Sequence, residues 1–150
     1  MPRNAIAILF CAWIAAQAVA LAEMDAHEQV QQQRRRAAEL AKAPQRMHLL
    51  PNPLADDPGA IAAGRKLFEE HCQECHGEDA RGGKKAPNLR QQEVQSAAPG
   101  VLFWFLSNGN VRHGMPTWSK LPEPQRWQLV SFVKSLAPEQ EAASYPMSIR

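Results

Sequence analysis

Cys72-Gln73-Glu74-Cys75-His76 is the stretch on which the reading of this chain turns. On a helix, residues three positions apart lie about one turn apart. Both thiols can therefore reach the two vinyl groups along one edge of a porphyrin. The adjacent histidine then projects its imidazole under the ring towards iron. This is the spacing of covalent haem attachment, one haem per motif. A thioredoxin-like redox pair shares the cysteine spacing but belongs in a strand-then-helix setting, whereas a helical pattern precedes Cys72 and no βαβ pattern follows. A structural zinc site needs four ligands, usually in two close pairs, and only the scattered His48, His71 and His113 are left to complete it. A plain disulfide leaves His76 unexplained, and one close cysteine pair is not a disulfide scaffold.

Upstream of the motif, Asp57-Pro58 reads as a helix start, with Asp57 as N-cap and Pro58 at the first helical position. Ile61, Gly64, Leu67, Phe68 and His71 then recur at steps of three and four, which is one helical face. Gly64 within that face costs about 1 kcal/mol relative to alanine, and close approach of another helix would compensate. Downstream, an irregular stretch runs from Gly77 to about Ala98 and contains Gly82, Gly83 and Pro87. Loops of that length in a compact domain are usually functional or disordered. Val101 to Leu106 is apolar all round. Pro99 before it and Asn108-Gly109 after it favour a buried helix over a buried strand. A second loop spans Ser107 to Leu121. The last helix is expected over Glu123 to Leu136, with Trp127, Val130, Val133 and Leu136 along one side and Ala137-Pro138 as its stop.

The flanks differ in composition. Arg3 opens the chain, and Ala5 to Ala20 is apolar apart from Gln17. Ala18-Val19-Ala20 and Ala20-Leu21-Ala22 both satisfy the small-x-small rule of signal cleavage, and the charge beginning at Glu23 favours a cut after Ala22. The apolar run is short for a bilayer span, which takes about 20 residues; an uncleaved N-terminal anchor is the alternative. Phe10 is too bulky for a lipoprotein site at Cys11, so Cys11 is read as lost with residues 1–22. Export to the periplasm, or otherwise across the cytoplasmic membrane, is the expectation. Residues 23–57 are polar, with Gln31 to Gln33, Arg34 to Arg36 and then Pro44, Pro51 and Pro53. They are read as a loosely attached extension carrying one solvated helix, and the arginine run as a solvated face. Residues 58–137 form the expected compact domain and 138–150 a disordered tail. The full chain has 17 basic and 15 acidic residues, a formal net charge of +2. That balance argues against nucleic acid as a partner, which demands clustered cations.

The second axial position on iron has several candidates: Met24, Met47, Met115, Met147, His48, His71 and His113. Met24, Met47 and Met147 lie in polar flanks. His71 directly precedes Cys72, about one turn before Cys75, where it is expected to face solvent or the helix surface. Met115 sits in a loop between helices, and Pro116 after it restricts its backbone. Met115 is favoured, with His113 as its rival and an open site as the third alternative. Trp104 and Trp118 are either donors to a haem propionate or simple apolar packing.

Gly64-Arg65-Lys66-Leu67-Phe68 leading to Cys72-Gln73-Glu74-Cys75-His76-Gly77 resembles class I cytochrome c. So do Ala86-Pro87-Asn88-Leu89, Gly114-Met115-Pro116 and the closing helix with Trp127, and the resemblance covers about Pro58 to Ala137. It implies an all-α fold, with three principal helices and long loops around one covalently bound haem c. It implies that Pro87 offers its carbonyl to the second ring nitrogen of His76, and that Leu89 packs on the haem face. It also implies that Gly64 and Phe68 meet Trp127 where the first and last helices cross. An apolar cavity bordered by Cys72, Cys75, His76 and Met115 is then expected. Histidine and methionine together leave iron no open site, and methionine raises the potential. The implied function is transfer of one electron at a time between exported or membrane redox proteins, such as a periplasmic dehydrogenase and a terminal oxidase, with no substrate chemistry. A fixed electron-accepting subunit of a dehydrogenase, or a haem enzyme or sensor with an open iron site, are the alternatives. Membrane contact is expected only through such partners or an uncleaved N-terminal segment.

Overall fold

Seven α-helices and one 3-10 turn make up the secondary structure of residues 3–83 and 86–136, which the computed structural model describes. The expected tail and the stop at Ala137-Pro138 lie outside these residues. Among the described residues the only extended pairing is an isolated bridge between Asn110 and Met115. Contacts divide the chain into Met1–Glu39 and Leu40–Arg150. α1 runs unbroken over Arg3–Leu40. Neither glycine nor proline interrupts the chain from Arg3 to Ala43, so the expected cleavage point is no structural boundary. From Leu21 to Arg35 every side chain is exposed, as a solvated helix requires. Within the described residues no helix is long and apolar enough to cross a membrane.

In the second unit, α3 (Pro58–His71) starts where the capping signals place it. Asp57 Oδ1 accepts from the amides of Gly59 at 2.8 Å and Ala60 at 3.2 Å. α3 crosses the last helix, α7 (Glu123–Ser135), and Gly64 lies at the crossing. A Cβ there would run into the Gln128 carbonyl and sit 2.9 Å from Phe132 Cβ. The neighbours of Gly64 are thus Gln128 and Phe132, and not Trp127 as the resemblance implied. Phe68 also meets Phe132, with ring centroids 5.2 Å apart. Trp127 instead stacks on Phe103 of α6 (Pro99–Asn108) at 4.1 Å. The cause is the breadth of the burial around α7. Trp127, Val130 and Val133 pack with α6 residues, while Leu129, Phe132 and Leu136 pack with Phe68 of α3. A single apolar stripe was expected, and the helix has two.

Packing also begins earlier than Pro58. Ala43 and Met47 are buried, Met47 within the short helix α2 (Gln45–His48), and both join Val101 in one cluster. Gly100 donates its amide to the Leu50 carbonyl at 3.2 Å. Buried Asn52 donates to the Ser131 hydroxyl at 2.8 Å, and Ser131 donates to the Leu54 carbonyl at 2.9 Å. Residues 43–55 are therefore a strap bound to α6 and α7 rather than a loose extension. Pro44, Pro51 and Pro53 lie within this strap, whose attachment rests on a few side chains with no periodic pattern. Within the irregular stretch a short helix, α5 (Gln92–Ser96), forms. Lys134 near the end of α7 donates to the carbonyls of Gln95 and Ala97, which caps the C-terminal end of α5 with a cation.

Candidate functional site

The attachment motif lies at a helix junction. Cys72 ends α3, its amide bonded to the Phe68 carbonyl at 2.8 Å, and begins α4 (Gln73–His76). Its own carbonyl accepts from the amides of Cys75 at 3.1 Å and His76 at 2.9 Å. One turn of helix thus separates the two thiols, both of which are free. Gly77, at φ 79°, ends α4 and turns the chain away.

His76 Nδ1 lies 3.0 Å from the Pro87 carbonyl oxygen. A carbonyl only accepts, so Nδ1 carries the proton and Nε2 keeps the lone pair that can bind a metal. Burial pushes the His76 pKa down, opposed by the Pro87 hydrogen bond, and the lowered value keeps the imidazole neutral. Burial and the neighbouring Cys75 push the Cys72 thiol up to about 11.

Gly82 holds Pro87 in place. Its amide donates to the His76 carbonyl at 2.6 Å, and its φ is 73°. A Cβ at this position would lie 2.5 Å from the carbonyl carbon of Pro87. Gly82→Ala should displace that carbonyl and weaken the Nδ1 bond. With His76 as the iron ligand expected from the sequence, loss of this bond would lower imidazole basicity and so disfavour the oxidised iron. The reduction potential should rise; a tenfold change in relative binding of the two oxidation states corresponds to about 60 mV for one electron. Redox titration checks this, and an unchanged potential would show that Gly82 does not control the bond.

Met115 lies half-buried in a folded-back loop. Asn110 and Met115 exchange backbone hydrogen bonds of 2.9 and 3.1 Å around the 3-10 turn Val111–His113, and Gly114 closes the turn at φ 84°. Gly109, at φ 69°, lets Pro116 pass so closely that a Cβ would lie 2.6 Å from its carbonyl carbon. The Thr117 hydroxyl donates to the Ser107 carbonyl at 2.7 Å, and the Trp118 amide to Leu106 at 2.9 Å. The backbone of Met115 is thereby tied to the end of α6. His113, its rival, is exposed, and its Nδ1 lies 2.9 Å from Asn110 Oδ1.

Leu89 is half-buried between the two main apolar clusters, with its amide bonded to the Ala80 carbonyl at 2.8 Å. The His71 side chain is 25% exposed, and its ring lies 5.2 Å from that of Trp118. Cys75 is exposed, and Cys72, His76 and Met115 are half-buried. Two surface depressions are lined by His27 to Arg35 on α1, and by Arg65, Glu78, Asp79, Arg90, Phe132 and Leu136. Neither depression is lined by Cys72, Cys75, His76 or Met115. Among the described residues no three His, Cys, Asp or Glu side chains gather to hold a metal, so zinc lacks a ligand set beside Cys72 and Cys75. Two free thiols a turn apart, next to a histidine with its outer nitrogen free, fit haem.

The family model of cytochrome c oxidase, cbb3-type, subunit III matches residues 59–133. The cbb3-type oxidase subunit CcoP of Rubrivivax gelatinosus is 35% identical over 95 residues, covering 61% of this chain and 31% of that protein. The quinohemoprotein alcohol dehydrogenase ADH-IIG of Pseudomonas putida is 35% identical over 78 residues, covering 51% of this chain and 10% of that protein. The crystal structure of cytochrome cL from Methylophaga aminisulfidivorans is similar with a TM-score of 0.52 and 27% identity, covering 58% of this chain and 59% of that one. The matched region spans about a third or less of the two longer relatives.

Proposed function

We propose, given that this chain belongs to the class I c-type cytochrome family, with covalently bound haem c and an electron-carrying rather than substrate-converting role, that Cys72 and Cys75 hold the haem and that His76 Nε2 and the Met115 sulfur are its axial ligands. When bound, haem supplies a one-electron iron couple. The observation that carries this reading is the 3.0 Å contact from His76 Nδ1 to Pro87, which leaves Nε2 free one residue after the second thiol. Pro87 orients the imidazole and raises its basicity. Met115 would supply a soft thioether that favours the reduced state, and with both residues bound to iron no position would be left for substrate. Leu89 would pack against the haem face.

The partners are proposed to be other redox proteins outside the cytoplasmic membrane, a dehydrogenase as donor and a terminal oxidase as acceptor. An oxidase subunit and a dehydrogenase among the relatives support this choice. Both carry the matched region within a longer polypeptide, which favours a second reading as a fixed subunit of a larger complex. The native mass of the haem protein distinguishes the two readings.

Acid–acetone extraction tests attachment. Protein made with haem-attachment machinery should keep its haem, and its intact mass should equal the polypeptide from Glu23 plus one haem. Extractable haem would overturn covalent attachment, and a mass that includes residues 1–22 would overturn cleavage after Ala22.

A further inference from the structure

The loop that carries Met115 is tied at its base to α6, through Leu106, Ser107 and Gly109. The attachment motif belongs to a different segment, at the end of α3. One aromatic contact joins these two segments. His71, the last residue of α3, immediately precedes Cys72. Trp118 lies three residues after Met115. Their ring centroids are 5.2 Å apart at 38°. Trp118 is half-buried, with its amide bonded to Leu106 and its carbonyl to the Leu121 amide at 3.0 Å. The His71 side chain is 25% exposed, with Nε2 3.7 Å from Glu70 Oε1. The Trp118 backbone is thus tied down on both sides, and its ring meets that of His71 from the segment that carries Cys72.

We propose that His71 and Trp118 are a clasp of positioning residues that holds the Met115 loop against the attachment segment and so keeps the methionine from leaving its axial position. This rests on the reading of Met115 as an axial ligand. An aromatic pair of this kind resists separation by a factor of about two to ten. If release of Met115 requires the clasp to open, removal of either ring makes the methionine-free state more populated by that factor.

The test uses the ferric holoprotein and cyanide, which binds only after Met115 leaves. Trp118→Leu and His71→Leu should each raise the apparent cyanide affinity about two- to tenfold. The double variant should show little further gain, because the two residues share one contact. Trp118→Phe and His71→Phe should restore behaviour towards wild type, since each keeps a ring. Partly exposed His71 carries the test if Trp118→Leu does not fold. Wild-type affinity in His71→Leu, or additive gains in the double variant, would overturn the clasp. The reading of Met115 fails separately: it is wrong if wild type lacks the near-infrared sulfur-to-iron band, whatever the clasp variants do.

Discussion

In Met115→Ala the reduction potential should fall, and the ferrous protein should bind carbon monoxide at neutral pH. A thioether donates weakly and favours the ferrous state, so its loss removes that preference. Axial ligands move haem potentials over about 0.8 V in all, so a fall on the order of tenths of a volt is expected. Met115→His should lower the potential as well while keeping both axial positions filled, and so should not bind carbon monoxide. Met115→Leu should lose the weak near-infrared sulfur-to-iron band, whereas His113→Ala should keep it. The loop geometry supports this contrast. Met115 is half-buried and its backbone is held twice by Asn110, while exposed His113 turns its ring to Asn110. A band that survives in Met115→Leu, or disappears in His113→Ala, would reassign the ligand.

Gly64→Ala should destabilise the protein even though alanine is the better helix former by about 1 kcal/mol. The sign is the test. A methyl at this position meets the Gln128 carbonyl and the Phe132 Cβ, and backbone cannot swing aside as a flexible side chain can. Overpacking costs about 1–3 kcal/mol, occasionally more. For a domain of this size about 1 kcal/mol moves the thermal midpoint by about 4–8 °C. Gly64→Ala should therefore lower the midpoint of the holoprotein by several degrees, and Gly64→Val by more. A raised midpoint in Gly64→Ala would mean that α3 and α7 do not approach as closely as described. The outcome bears on the haem site as well, because α3 leads directly into Cys72.

The parts of the fold that are legible in the sequence share a physical basis: each is written in local order. Asp57-Pro58 caps α3 because a carboxylate and a proline suit a helix start wherever it occurs, and Asp57 Oδ1 does accept two amides there. Pro99 and Gly109 bound α6 for the same kind of reason. The glycine cost in α3 pointed to a helix crossing, and the crossing exists. Identifying which residue of α7 fills it was beyond sequence reasoning. That depends on the rotation of α7, which buries two faces where one stripe was expected. The strap was missed for a related reason. Met47, Asn52 and Gly100 are joined by contacts across some fifty to eighty residues of chain, and no local pattern records such pairings.

At the haem site, the sequence by itself determined the cofactor, since two thiols and a histidine at this spacing are a chemical requirement met within five consecutive residues. The resemblance to a known family pointed to Pro87 as partner of His76. Only the tertiary structure decided how the carbonyl reaches the ring: Gly82, at positive φ, lets the chain return close behind α4, and the 3.0 Å contact then selects the imidazole tautomer. It also decided that Met115 is held by a turn closed on Asn110, with Gly109 pressed against Pro116. And it brought His71 and Trp118, 47 residues apart in the chain, together. Covalent chemistry is specified by neighbours along the chain, whereas orientation arises from close approach between distant segments, which exists only once the core has packed.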